Sequence, residues 1–482
     1  MKIVFKMYRC LVRLVLLLPF VVAPALAPTP ALAAEPQAEL DARIERLERD
    51  AAALRAEIEA RDQRAAETER RTGILARELG QLREAIILPG EDMPQGQYGF
   101  APAASKVYAN RPGLSIGGYG EIAYAAPLAD SGGRKGELDF GRLVLYTGFK
   151  FNEWIVFNSE LEVEHATTAD TVSGDGGVVA LELANLDILL HQRINLRGGL
   201  LLVPMGFINE IHEPPFFHGN DRPLVETEIL PSTWRANGAG IFGELLPGLE
   251  YRTYGLTSFD AKGFRAEGLR LGKQGGSREL AEDWSWVLRF DYAAPFGTTF
   301  GSSLYLGDAG QGQAFGNDTE GYVAADVFTQ IYEAHVEVVQ AGVEFRALGA
   351  VALIDDAGIL NSDSEILGYD PSQPPATGET RPAGGVSETL WGAYAEVAYD
   401  VLPHVLPETS QYLAPWFRYS TYDTQASVPR VDANRNLDRE ALEFGFSYKP
   451  IPQIVFKVDY RIHYAASGSV PDELRIGGGY VF

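Results

Sequence analysis

The stretch Ile155-Val156-Phe157-Asn158-Ser159-Glu160-Leu161-Glu162-Val163-Glu164 decides the fold. Ile155, Phe157, Leu161 and Val163 alternate with Asn158, Glu160, Glu162 and Glu164, the period of an extended strand with side chains on opposite faces. One face is apolar and the other charged, as a strand needs when it separates lipid from water. Working outward, the same alternation recurs near 114–126, 137–150, 153–166, 178–190, 194–205, 237–246, 249–260 and 283–293. It continues near 297–308, 328–338, 342–354, 388–400, 411–421, 438–449, 453–466 and 472–482, which makes sixteen segments.

Their connections alternate too. Phe151-Asn152, Pro247-Gly248 and Pro450-Ile451-Pro452 are short, whereas 206–236, 261–282, 309–327 and 355–387 are long. Short periplasmic turns and long outer loops are the habit of outer-membrane barrels; Pro403 to Pro407 reads as a somewhat longer periplasmic turn. In the last segment Leu474, Ile476, Gly478, Tyr480 and Phe482 alternate with Glu473, Arg475, Gly477 and Gly479. Tyr480 and Phe482 resemble the signal that such barrels present to the barrel-assembly machinery, an expected partner.

Before the barrel the pattern differs. Lys2, Lys6, Arg9 and Arg13 precede an apolar run from Leu14 to Val22, and Ala31-Leu32-Ala33 fits a signal-peptidase site. Then Leu40, Ile44, Leu47, Ala51, Leu54 and Ile58 step by four and three; a polar middle at Arg61, Ala65, Thr68 and Thr72 leads to Leu75, Leu79, Leu82 and Ile86. The seven-residue return predicts a coiled coil, roughly 70 Å long at helical rise. Pro89 and Gly90 stop it. The expected chain is signal peptide 1–33, coiled coil 34–88, linker 89–112 and barrel 113–482: an all-β, sixteen-stranded antiparallel transmembrane barrel preceded by a periplasmic α-helical coiled coil.

Composition narrows the function. Of 482 residues 46% are hydrophobic, yet past the leader no run approaches the ~20 apolar residues of a membrane helix. The net charge is −24, and the leader carries four positive and no negative side chains, so the remainder is more acidic still. Such a surface repels nucleic acid and suits a lipopolysaccharide layer bridged by cations. Cys10, the single cysteine, lies in the leader, which excludes thiol chemistry from the rest. No Gly-x-Ser-x-Gly accompanies the seven histidines, so no catalytic residue is expected. Gly117-Gly118-Tyr119-Gly120 precedes no helix and reads as close packing in a curved strand rather than as a phosphate cradle.

Sixteen strands enclose a lumen too wide for side chains to fill. The candidate constriction is the loop 206–236, rich in proline, aromatic and charged residues, with Glu210, His212, Glu213, Arg222, Glu226, Glu228 and Arg235 facing the solute path. Glu210, His212, Glu213, His218 and Asp221 read as pore lining rather than as metal ligands, and no metal or cofactor is expected. Inward strand positions mix acids (Glu160, Glu162, Glu164, Glu333, Glu337, Glu396) with bases (Arg142, Arg289, Arg418, Lys457, Arg461, Arg475). That balance predicts a weakly selective channel with cations slightly preferred. Lys262, Arg265, Arg270, Lys273 and Arg278 read as a solvated basic loop.

The leader and coiled coil, Gly118-Tyr119-Gly120, Phe140-Gly141-Arg142, and Arg197-Gly198-Gly199 running into Val203-Pro204-Met205-Gly206 together resemble the phosphate-selective porin O and P family. The resemblance implies a homotrimeric outer-membrane channel with an inward third loop, passing small solutes or ions. Phosphate selectivity does not follow, because Leu200 and Leu202 stand where a basic lumen-facing residue is expected. The alternative is a structural anchor that tethers the envelope through its coiled coil.

Overall fold

A computed structural model describes residues 37–85, 96–129, 133–170, 176–373 and 383–482. The expected signal peptide lies outside the described residues. The chain divides into two units, Met1–Leu79 and Gly80–Phe482. Helix α1 (Gln37–Ala85), most of which lies in the first unit, runs without a proline or a break. Its heptad residues Ile44, Leu47, Leu54 and Ile58 are 48–62% exposed on the single chain.

In the second unit sixteen strands close a barrel: β1 (Gly113–Ala129), β2 (Glu137–Lys150), β3 (Ile155–Glu164), β4 (Val179–His191), β5 (Ile194–Leu202), β6 (Arg235–Leu246), β7 (Leu249–Thr257), β8 (Trp284–Ala294), β9 (Thr298–Asp308), β12 (Phe328–Gln340), β13 (Val343–Ile354), β14 (Thr389–Tyr399), β15 (Tyr412–Ser427), β16 (Asp438–Ile451), β17 (Ile454–Ala465) and β18 (Asp472–Val481). A further pair, β10 (Ala314–Asn317) and β11 (Gly321–Ala324), forms a hairpin in the long loop 309–327. Every neighbouring pair in the barrel is antiparallel, and β1 meets β18 in register from Tyr119–Val481 to Pro127–Glu473. Closure satisfies the edge hydrogen bonds that a bilayer could not. Tyr480 and Phe482 lie on the outer face of that seam, and Phe482 exchanges backbone bonds with Gly118.

The outer face exposes Leu145, Phe149, Leu161, Leu186, Phe417, Phe444 and Phe456, the apolar band that lipid requires. The inner face is not uniformly polar. At the long-loop end Leu256, Val287, Ile331, Leu348, Ile354 and Leu390 turn inward and pack against loop residues Val225, Ile229, Phe259, Phe264, Phe315 and Leu360. Loops, not water alone, fill this end of the lumen, and apolar burial at about 25 cal/mol per Å² stabilises them there.

The short-turn end holds a second insert. Residues 96–112 belong to the expected linker, but Pro102–Ala109 form helix α2, which is buried inside the barrel. Proline at its first turn forgoes only an amide with no helical acceptor. Val107 sits against Gly148, where a Cβ would come within 2.7 Å of it. Asn158 donates to Ala104 O at 3.0 Å and Lys150 to Asn110 O at 3.1 Å. The linker reading fails because Phe100, Val107 and Tyr108 together make an apolar face that a solvated spacer would not need.

Candidate functional site

The chain leaves β5 at Leu202 and returns at Arg235, and the loop between crosses the lumen. Its neck is tied by Asn209, whose Nδ2 donates to Val203 O at 2.6 Å and Trp234 O at 2.8 Å while Oδ1 accepts from Trp234 N at 2.6 Å. Gly206 turns at φ +68° with the Glu226 carboxylate 2.5 Å from any added Cβ, so this turn suits glycine alone. Wall cations then grip the loop backbone: Arg346 donates to Phe216 O at 2.7 Å, Arg418 to His218 O at 2.7 Å and Lys457 to Gly219 O at 2.7 Å. Asn220 N donates to Asp459 at 2.8 Å.

The residues expected at the constriction fall into two groups. Glu210 is buried between Arg252 (3.2 Å) and Arg289 (3.7 Å), His212 between Glu160 (3.3 Å) and Glu182 (3.5 Å). Glu226 accepts from Tyr394 at 2.6 Å and from Ile208 N at 2.7 Å, and Glu213 is wholly buried. Arg222, Glu228 and Arg235 are half-buried. Arg222 donates to Thr233 Oγ1 at 3.2 Å, and Arg235 to Glu182 at 3.2 Å. Burial pushes the Glu213 carboxyl up to about 7. Burial opposes the His212 charge, but Glu160 and Glu182 outweigh it and hold the imidazole at about 10. Four of the seven candidates are thus withdrawn from open water: Glu210, His212 and Glu226 tie the loop to the wall, and Glu213 is buried beside them with no hydrogen-bond partner.

The wall charges pair in the same way. Arg142 meets Glu121 at 2.6 Å and Glu162 at 2.9 Å, with Glu164 at 3.9 Å. Arg289 holds Asp291 at 2.7 Å, Glu333 meets His335 at 2.6 Å, and Glu337 meets Arg346 at 2.7 Å. Arg418 bridges Glu396 (2.5 Å) and Glu443 (3.1 Å), and Arg461 joins Glu443 (3.0 Å) to Asp221 (3.1 Å), which Arg475 also contacts. Between the loop and the wall lies a crevice of about 180 Å³, where Glu121, Asp139 and Asp221 face Arg142, His165 and Lys457. Leu200 and Leu202, the positions expected to be basic in a phosphate channel, are buried.

Strand alternation could not reveal the partners. Glu182, Arg252 and Asp291 were not singled out, although each sits at an alternating position of its strand. Nor did the basic loop read as part of the site: Arg270 donates to Ser232 O and Lys273 to Thr233 O (2.7 Å), so both reach over the inward loop. Lys262 instead pairs with Asp363 at 2.7 Å. Burial, then Arg270, Arg235 and Arg222, bring Lys273 down to about 7. At the short-turn end a buried Arg197–Asp187 pair (2.8 Å) accepts the Tyr108 hydroxyl on Asp187 at 2.7 Å, fastening α2.

No family model matches the chain. Among solved structures it is similar in fold to the in-vitro folded trimer form of OmpT of Vibrio cholerae (10% identity, 77% of this chain and 100% of that one, TM-score 0.46). It is similar also to Salmonella typhi OmpF in complex with daunomycin (11%, 77% and 98%, TM-score 0.47) and to an anion-selective porin from Comamonas acidovorans (12%, 77% and 99%, TM-score 0.45). In sequence it is 34% identical over 384 residues to an uncharacterized protein of Aquifex aeolicus (strain VF5), covering 79% of this chain and 82% of that one. The chain belongs to one family with that Aquifex aeolicus protein.

Proposed function

We propose that the protein is a homotrimeric porin of the bacterial outer membrane, with architecture of the phosphate-selective porin O and P type. It passes small hydrophilic solutes or ions along the narrow way left between the loop 206–236 and the barrel wall. The observation that carries this reading is the charged crevice lined by Glu121, Asp139, Arg142, Asp221 and Lys457, in a barrel with an apolar outer belt. Opposed charges across a confined path screen both ion signs and leave weak selectivity, with the surplus of acid favouring cations. The coiled coil 34–88 stands in the periplasm and joins three copies.

Stepwise conductance and the reversal potential under a salt gradient in planar bilayers test the reading. Triplet steps with a small cation preference support it. Anion preference with phosphate block would restore phosphate as the solute. A silent barrel would favour the anchor, a reading that the apolar packing of the long-loop end also supports.

A further inference from the structure

The buried junction between the inward loop and strands β3 and β4 holds side chains that conduction does not use. Glu160, Glu182 and His212 are each at most 2% exposed. His212 Nε2 lies 3.3 Å from Glu160 Oε1 and 3.5 Å from Glu182 Oε2, and the three donor atoms lie within 4.8 Å of one another. Donors about 2.1 Å from a tetrahedral ion stand about 3.4 Å apart, so two edges of a coordination tetrahedron are already in place. We propose that Glu160, Glu182 and His212 bind a divalent transition cation of the zinc or manganese class, which clamps the loop to the wall.

A second observation points to the same ligand. Glu160 Oε2, Glu182 Oε2 and both carboxylate oxygens of Glu213 are sealed from solvent with no hydrogen-bond partner, and so is the hydroxyl of Tyr119, whose ring packs edge-on to His212 at 5.8 Å. Buried carboxylate oxygens require a donor or a cation. Of the nearby arginines, Arg142 is held by Glu121 and Glu162 and Arg235 by the other oxygen of Glu182, while Arg222 donates to Thr233 through Nη1 and its buried Nη2 reaches none of these oxygens. A proton on His212 Nε2 serves Glu160 Oε1 and, more distantly, Glu182 Oε2, and leaves Glu160 Oε2 and the Glu213 oxygens bare. His212 Nδ1 has no partner in either case and does not choose between them. One imidazole with carboxylates suits zinc or manganese better than calcium or magnesium, which take all-oxygen sets.

The site is independent of conduction, since a barrel that passes no current can still hold the ion. The test uses full-length protein stripped with EDTA, titrated with zinc, passed through gel filtration and assayed for bound metal, with cobalt absorption as a second readout. One ion per chain is expected. Glu160→Gln and Glu182→Gln, both near-isosteric, and His212→Gln should each weaken binding by at least the roughly tenfold to hundredfold loss that outer-shell changes produce. Heat-modifiable migration shows that each variant's barrel is intact, and Glu160→Gln stands in should His212→Gln not assemble. Binding below a tenth of an equivalent, or binding unchanged in all three variants, overturns the site and leaves a proton on His212 as the clamp.

Discussion

Arg418 shows how single residues hold the lumen together. It is wholly buried, donates to Glu396 and Glu443 from two neighbouring strands, and reaches the His218 carbonyl of the loop. Arg418→Met leaves two carboxylates buried without their cation, a change that costs about 3–5 kcal/mol. The expected outcome is a lower unfolding temperature in detergent and noisier current through a loosened loop. Lys273 gives a pH signature. Its folded pKa of about 7 lies below the ordinary 10.5, so its contribution to stability is whole above that value and is lost as pH falls through about 7. The groups facing it are Arg270, Arg235 and Arg222, with Glu182 opposing. Between pH 8 and pH 6 the added charge should move the reversal potential toward anions, and Lys273→Met should abolish that shift. The position of Arg418 was legible from alternation, but its partnership with His218 was not, because 200 residues separate them and only the folded loop brings them together.

Among the elements, α2 is the one the sequence hid most completely. Eight residues with Pro102 and three alanines resemble a spacer, and no periodicity can be counted over two turns. Its seat depends on Gly148, so Gly148→Leu should expel Val107 and the helix from the lumen. A several-fold rise in conductance with an unchanged barrel is the expected result; unchanged conductance would mean that α2 does not narrow the path. Helix α1 was legible because its heptads run for many turns. Ile44, Leu47, Leu54 and Ile58 stand exposed on the single chain. Replacing the four with glutamate tests the proposed coiled-coil trimer: the trimer fraction in analytical ultracentrifugation should fall, since charged seam residues cannot pack in a coiled coil.

For the whole molecule, the number of barrel strands followed from period-two alternation and from the alternation of short and long connections. The filling of the lumen did not. Where β7 to β15 turn apolar residues inward as well as outward, the two faces look alike in sequence, and nothing local says which neighbour each will meet. Pairing of wall charges has the same consequence for selectivity as for legibility. An acidic composition does not become an acidic pore when most inward carboxylates already face an arginine, so the cation-to-anion permeability ratio should stay within a few-fold at neutral pH.

The seam between β1 and β18 sets the order in which such a molecule can be made. These two strands are the most distant in sequence, so their pairing closes the largest loop in the fold and is entropically the hardest contact to form. The inward loop and α2 belong to stretches that precede most of the wall, and they can be laid against a half-built sheet before the gap shuts. A mutation that delays them would trap their apolar faces outside a finished cylinder. Such a lesion would be kinetic, invisible in the final stability and curable by slower assembly at low temperature.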